Sequence, residues 1–296
     1  MKLVALMLAR NEDWVIGLSA RAALMWCDAL IVWMHCCDDA TATIINRLDY
    51  NSDGRVTYGY DDLLEWEEMR LRDNMLNRAR QLGATHVAII DADEVLTGNA
   101  LAEVRTMTEI LPDGVCLQVP WFQMRADWLG LPQRCITHMC TGLWAHQNSV
   151  VAFKDNPKFH WASRDGYDFH HRQPMGMPFV SHHMYDNRAA GCMHLQFLSR
   201  RRLIEKQFLY QLTERKRWGY DTETIKKKYV PTVTESDSAQ LAACPESWWA
   251  PYSHLMQYLH IDREPWQEEE CFRLIRENPG IEAGLEDFGL LKRVRV

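Results

Sequence analysis

No apolar run in this 296-residue sequence approaches the roughly 20 residues that a membrane-spanning helix requires. The N-terminal stretch Lys2-Leu3-Val4-Ala5-Leu6-Met7-Leu8 lacks a small-residue cleavage site and reads as a buried first strand. The expectation from both absences is a protein without a membrane span, in a bacterial or phage-infected host cytoplasm. The nine cysteines include no C-x-x-C pair, and their odd number and the adjacent Cys36-Cys37 do not suit a disulfide framework. Zinc ribbons are thereby excluded, and reduced, mostly buried thiols are expected. Internal repeats and low-complexity tracts are also missing. A positive balance is lacking too: the net charge of -7 argues against general nucleic-acid binding.

The chain does have enough length and apolar content, 47%, to bury one large core or a core plus an appended helical unit. Its charge is unevenly spread. Residues 200–228 hold ten Lys or Arg against four acids, a local +6 that leaves -13 on the remainder. Such a run reads as a solvated helix face or as a positive surface toward phosphates or a polyanionic acceptor.

Short apolar runs alternate with amphipathic ones over the first part of the chain, the pattern of a layered α/β domain. Strands are predicted at 3–9, 29–35, 56–58, 86–90 and 115–121, and helices at 14–25, 40–48, 63–82 and 99–110. The third helix carries Leu64, Leu71, Met75 and Leu82 on one face, with Gly83 behind it as a C-terminal cap. A further strand and turn are predicted at Val150 to Pro157. Between 120 and 191 the periodicity fades into segments rich in Trp, His, Pro and Met, which suit a functional loop region. A helix follows at 199–218, then a polar linker at 232–238, then helical segments at 247–259 and 265–277.

The chemistry concentrates at Asp91-Ala92-Asp93-Glu94. An apolar strand, Val87-Ala88-Ile89-Ile90, delivers these acids at its C-terminal end, where open α/β sheets place ligands. In extended chain Asp91 and Asp93 point the same way and can share one cation, Mg2+ or Mn2+, whose other positions go to water and a diphosphate. The same spacing also fits the nucleophile motif of haloacid-dehalogenase-like phosphatases, with Asp91 as nucleophile. That motif normally opens its fold, however, whereas here a complete α/β segment precedes it.

Ala9-Arg10-Asn11-Glu12, Arg72-Asp73-Asn74, Gly83 and Asp91-Ala92-Asp93-Glu94 together resemble, in order and spacing over the first 110 or so residues, the landmarks of family 2 glycosyltransferases. The resemblance implies the GT-A fold: an α/β nucleotide-sugar-binding domain with a mixed central sheet, here followed by a C-terminal helical extension. It implies a catalytic domain over 1–198, with a donor half to about 115 and an acceptor half beyond it, and the extension over 199–296. It also implies donor contacts from Arg10, Asn11, Asp39, Arg72, Asp91 and Asp93. The acid that usually closes the second strand is replaced by Met34-His35, which leaves the nucleotide base open.

Six of the twelve histidines fall between His160 and His194, but the pairs His170-His171 and His182-His183 lack zinc-helix spacing. His194 stands before the basic helix, as a late metal-ligating histidine does in similar sequences, including phage-encoded glycosyltransferases. The implied metal set is Asp91, Asp93 and His194. Asp165, Asp168 and His170 are the candidate bases for deprotonating an acceptor hydroxyl. Trp248, Trp249 and Trp266 suit either sugar stacking or the stapling of a helical tail, and stapling is the expected role.

The resulting expectation is a metal-dependent hexosyl- or pentosyltransferase. It would move sugar from a nucleoside diphosphate to a hydroxyl of a glycan, a lipid or a hydroxymethylated base in phage DNA. The alternatives are the phosphatase above and a non-catalytic sugar- or nucleic-acid-binding protein.

Overall fold

The computed structural model describes residues 1–63, 66–126, 136–140, 147–163, 172–178 and 180–294, with backbone alone at 136–140 and 293–294. These residues fall into two compact units, neither contiguous in sequence. Met1–Phe122, Leu143–Leu195 and Cys244–His260 form the first; Gln123–Gly142, Gln196–Ala243 and Ile261–Val296 form the second. The sequence suggested one boundary, at 198/199. Residues 244–260 instead join the first unit, because Trp248 and Tyr252 are buried there: Trp248 Nε1 donates to the Ala189 carbonyl (3.0 Å) and Tyr252 Oη to that of Leu96 (2.9 Å).

In the first unit β1 (Leu3–Ala9), β2 (Ala29–His35), β3 (Val56–Asp61) and β4 (His86–Ile89) run parallel. Beyond β4, strands β8 (Asn148–Lys154) and β6 (Val115–Ala126, of which the part up to Phe122 belongs to this unit) continue the sheet antiparallel to one another, in the order β6-β8-β4-β1-β2-β3. The architecture is therefore the expected α/β class with a mixed central sheet. Alternation explains the unbroken apolar run of β1: Leu3, Ala5, Met7 and Ala9 face one core cluster, and Val4, Leu6 and Leu8 face the other. A strand buried on both faces needs no polar alternation.

Helices α1 (Ile16–Ala23), α2 (Thr41–Tyr50) and α4 (Leu101–Glu109) supply Ile16, Ala20, Ile45 and Val104 to the first cluster. Helix α3 (Glu68–Gln81) supplies Met69, Leu71, Met75, Leu76 and Ala79 to the second. It starts later than the periodicity suggested, and Leu64 lies outside the described residues. Its end is as expected. Gly83 takes φ +79°, and the amides of Gly83 and Ala84 bond back to Arg80 and Ala79, a pattern that side chains with a Cβ rarely adopt. Arg80 also clamps Asp155 through two 2.8 Å bonds, and Asp73 accepts the Trp161 amide at 2.9 Å. Helix α3 thus fixes the path of the chain after β8.

Strand order reverses between β1 and β4, so their C-terminal ends open the crevice where α/β sheets bind ligands. Three short strands complete the pairing: β5 (Glu94–Leu96), β9 (Val180–His183), parallel to β6, and β10 (Cys192–His194), which pairs with both β5 and β6. Helix α7 (Glu246–Trp249) completes the unit.

The second unit contains β7 (Ile136–Cys140) paired with β11 (Leu241–Ala243), and helices α5 (Arg200–Trp218), α6 (Thr222–Ser238) and α8 (Gln267–Glu277). Residues 232–238, read from sequence as a linker, are the last turns of α6 despite Pro231. Burial of Val233 with Phe197, Leu203 and Ile204 outweighs the polar local sequence. At least five of the ten cations of the basic stretch have partners within this unit. Arg200 makes two bonds to Asp237, Arg201 contacts Glu205, Glu264 and Glu268, and Arg202 donates to the Arg263 carbonyl. Arg215 donates to the Ile281 and Ala283 carbonyls, and Lys228 pairs with Glu214. Lys216 and Arg217 at the end of α5 stay exposed. No helix among the described residues is long and apolar enough to cross a membrane.

Candidate active site

Strand β4 ends at the acidic run, and α1 fixes the turn that follows, because Ser19 Oγ donates to the Ala92 carbonyl at 2.6 Å. Asp91 is one-third exposed, whereas Asp93 and Glu94 are buried. The two aspartates have different partners. Asp91 Oδ1 accepts from Arg72 (3.2 Å) and Oδ2 from Arg172 (2.5 Å). Burial alone would raise its carboxyl pKa, but the Arg172 and Arg72 guanidiniums outweigh this and hold it well below the usual carboxylate range.

Asp93 instead faces His194. Its Oδ2 lies 3.4 Å from His194 Nε2, both side chains are buried, and the Leu195 amide bonds to the Asp93 carbonyl at 2.8 Å. Two of the three residues of the implied metal set therefore meet across 100 residues of sequence, while Asp91 is occupied by arginines. Among the described residues no group of three His, Cys, Asp or Glu side chains gathers with metal-ligand geometry.

Arg72 is buried on α3, where Nε donates to Glu68 at 2.8 Å. Arg172 Nη2 also reaches the fully buried Glu94 Oε1 at 2.5 Å. Glu68, Asp91, Asp93 and Glu94 bring carboxylates to this centre, and Arg72 and Arg172 bring guanidiniums. The oxygen and imidazole donors of Asp93 and His194 suit Mn2+, and Mg2+, which takes oxygen ligands, less well, with positions left for water and a diphosphate.

Asn11 and Asp39 meet at the neighbouring strand ends. Asn11, at φ +53°, donates Nδ2 to Asp38 (2.6 Å) and accepts the Asp38 amide on Oδ1 (2.9 Å). Asp39 accepts the amides of Asp13 (3.0 Å) and Thr41 (2.8 Å), organising the first turn of α2. Arg10 sits half-buried beside Asn11 at the end of β1. Asp165, Asp168 and His170 lie outside the described residues. Sequence reasoning missed Arg172 and Trp121. Trp121 Nε1 donates to Glu94 Oε1 at 2.8 Å, and its ring stacks on His194 with centroids 4.4 Å apart and planes at 16°. Of the tail tryptophans, Trp248 is buried against Phe122, in keeping with stapling.

Fold and site together define an α/β protein with a cluster of carboxylates, two arginines and a histidine at the switch point of its sheet. No protein-family model matches the sequence, and no curated protein is similar to it. Among solved structures, residues 1–349 of S. aureus TarS in complex with UDP-GlcNAc align over 96% of this chain and 84% of that one, at 11% identity and a TM-score of 0.41. GalNAc-T7 with UDP, GalNAc and Mn2+ aligns over 94% and 58%, at 9% identity and 0.40. Glucosyl-3-phosphoglycerate synthase from Mycobacterium tuberculosis, in complex with Mn2+, UDP and phosphoglyceric acid, aligns over 41% and 43%, at 16% identity and 0.31. With TM-scores below 0.5, these likenesses transfer neither a site nor an activity.

Proposed function

We propose that this chain is a metal-dependent glycosyltransferase of GT-A type, resembling family 2, that transfers a sugar from a nucleoside diphosphate sugar to an acceptor hydroxyl. The observation that carries the reading is the meeting of Asp93 with His194, 3.4 Å apart, beside a two-arginine cluster at the switch point of the sheet. Asp93 and His194 would hold Mn2+ or Mg2+. A bound divalent cation would neutralise charge developing on the departing nucleoside diphosphate. Arg72 and Arg172, kept in place by Asp91, Glu68 and Glu94, would supply fixed positive charge beside the acidic run, as preorganised transition-state stabilisation requires. Asn11 and Asp39 border the neighbouring strand ends, where the nucleoside would lie, with Arg10 next to them. Asp165, Asp168 and His170 remain the candidate bases.

For the acceptor, a glycan or lipid hydroxyl is favoured over modified DNA. Of the six cations at 200–202 and 215–217 that a DNA-facing surface would use, Arg200, Arg201, Arg202 and Arg215 are engaged with carboxylates or carbonyls of their own unit. The net charge of -7 also opposes approach to DNA.

Release of sugar from a panel of nucleoside diphosphate sugars, measured with Mn2+ and then with chelator, tests the reading. Slow hydrolysis of one or two donors that stops on chelation is expected. Hydrolysis of none, with a phosphatase substrate cleaved instead, would reject it.

A further inference from the structure

Glu94 and His194 are register partners in the antiparallel β5–β10 pair, so their side chains emerge side by side on one face. Glu94 is fully buried and its two oxygens take three donors. Oε2 accepts the Asp91 amide at 3.1 Å; Oε1 accepts Trp121 Nε1 at 2.8 Å and Arg172 Nη2 at 2.5 Å. The Trp121 indole, tied down at its nitrogen, lies nearly parallel on the His194 ring. That ring in turn points Nε2 at Asp93. One carboxylate thus fixes the acidic turn and, through the indole, the plane of the imidazole opposite.

We propose that Trp121 is a positioning residue, set by Glu94, that holds the His194 imidazole in the orientation needed to ligate a divalent cation jointly with Asp93. The inference rests on the proposed metal site, but the orientation of His194 does not depend on any metal being bound. An imidazole on a short strand has two broad ring orientations open to it. The stacked indole removes the freedom to swing away from Asp93, and the Nε1–Glu94 bond keeps the indole from sliding off. Groups that orient a metal ligand from behind typically contribute 10- to 100-fold in metal affinity, roughly the effect expected here. Trp121→Phe keeps an aromatic face but loses the tether, whereas Trp121→Ala loses both. Glu94→Gln keeps the shape and weakens the charge-assisted contacts.

The test combines Mn2+ affinity, titrated with and without UDP, and crystal structures of the variants. Expected is roughly 10-fold or greater weakening of Mn2+ binding in Trp121→Ala, a smaller loss in Trp121→Phe, and no further loss when Trp121→Ala is added to His194→Ala. The crystal structure of Trp121→Ala should show the imidazole rotated away from Asp93. Additive losses in the double variant, or an imidazole still aimed at Asp93 without the indole, would overturn the proposal; Trp121 would then act elsewhere in the crevice. If wild-type protein binds no Mn2+, the metal reading fails, and the His194 orientation in Trp121→Phe and Trp121→Ala still decides whether Trp121 positions it. Unaltered melting of Trp121→Phe keeps the comparison valid should Trp121→Ala fold poorly.

Discussion

Asp93→Asn is expected to lower sugar transfer roughly a thousandfold while leaving the fold intact. A bound cation would contribute several kcal/mol to stabilising charge on the leaving diphosphate, and each 1.36 kcal/mol is about tenfold in rate. The amide nearly matches the carboxylate in shape and still carries an oxygen toward His194, so packing around the buried side chain is preserved. Removing a negative charge close to Asp91 also relieves repulsion within the acidic run. Turnover near wild type in Asp93→Asn, with normal Mn2+ dependence, would show that the metal is held elsewhere.

Arg172→Leu should strongly destabilise the first unit. Arg172 is 12% exposed and Glu94 is 0% exposed, so removing the guanidinium breaks a buried ion pair and leaves Glu94 only the neutral donors of the Asp91 amide and Trp121 Nε1. Breaking a buried pair in this way costs about 3–5 kcal/mol, or roughly 10 °C in melting temperature for a unit of this size. The penalty should depend on pH. Asp91 titrates well below its ordinary value because of Arg172 and Arg72, so its stabilising effect is complete above about pH 4 and is lost as pH falls through the depressed folded value. The gap between wild type and Arg172→Leu is therefore widest near neutrality and narrows below about pH 4. Arg172→Lys restores one charge but not the planar fork, and should recover only part of the loss. Chemical denaturation of the three proteins at pH 7 and pH 3 measures this; a constant gap would mean that Arg172 stabilises by packing alone.

Much of the frame was legible because the strands that build it are local and apolar. β1 and β2 fall on the residues that their unbroken apolar runs delimit, and β4 delivers Asp91 as the motif suggested. Gly83 closes α3 for a reason of backbone conformation that a single residue reveals. The site was less legible because its partners are set by register and tertiary packing. Nothing in the local sequence of Trp121 or Arg172 marks them: the first acts 27 residues from Glu94 and the second 81 residues from Asp91. Glu94 looked like one more acid in a run, yet in the structure it alone is fully buried. Asp91 and Asp93 read from sequence as equivalent ligands of one cation. The two arginines that separate their roles come from a helix before the motif and a segment long after it. Likewise the cations of α5 looked like a free surface until their carboxylate and carbonyl partners, from residues 237 to 283, were in place.

The account turns on a single cation between Asp93 and His194 that receives a nucleoside diphosphate. Crystals soaked with Mn2+ and UDP, with anomalous diffraction recorded at the manganese edge, test this directly. The prediction is one anomalous peak within ligand distance of Asp93 Oδ2 and His194 Nε2, completed by diphosphate oxygens, and absent in Asp93→Asn. UDP bound in the crevice with the manganese peak elsewhere, or with no peak at all, would contradict it.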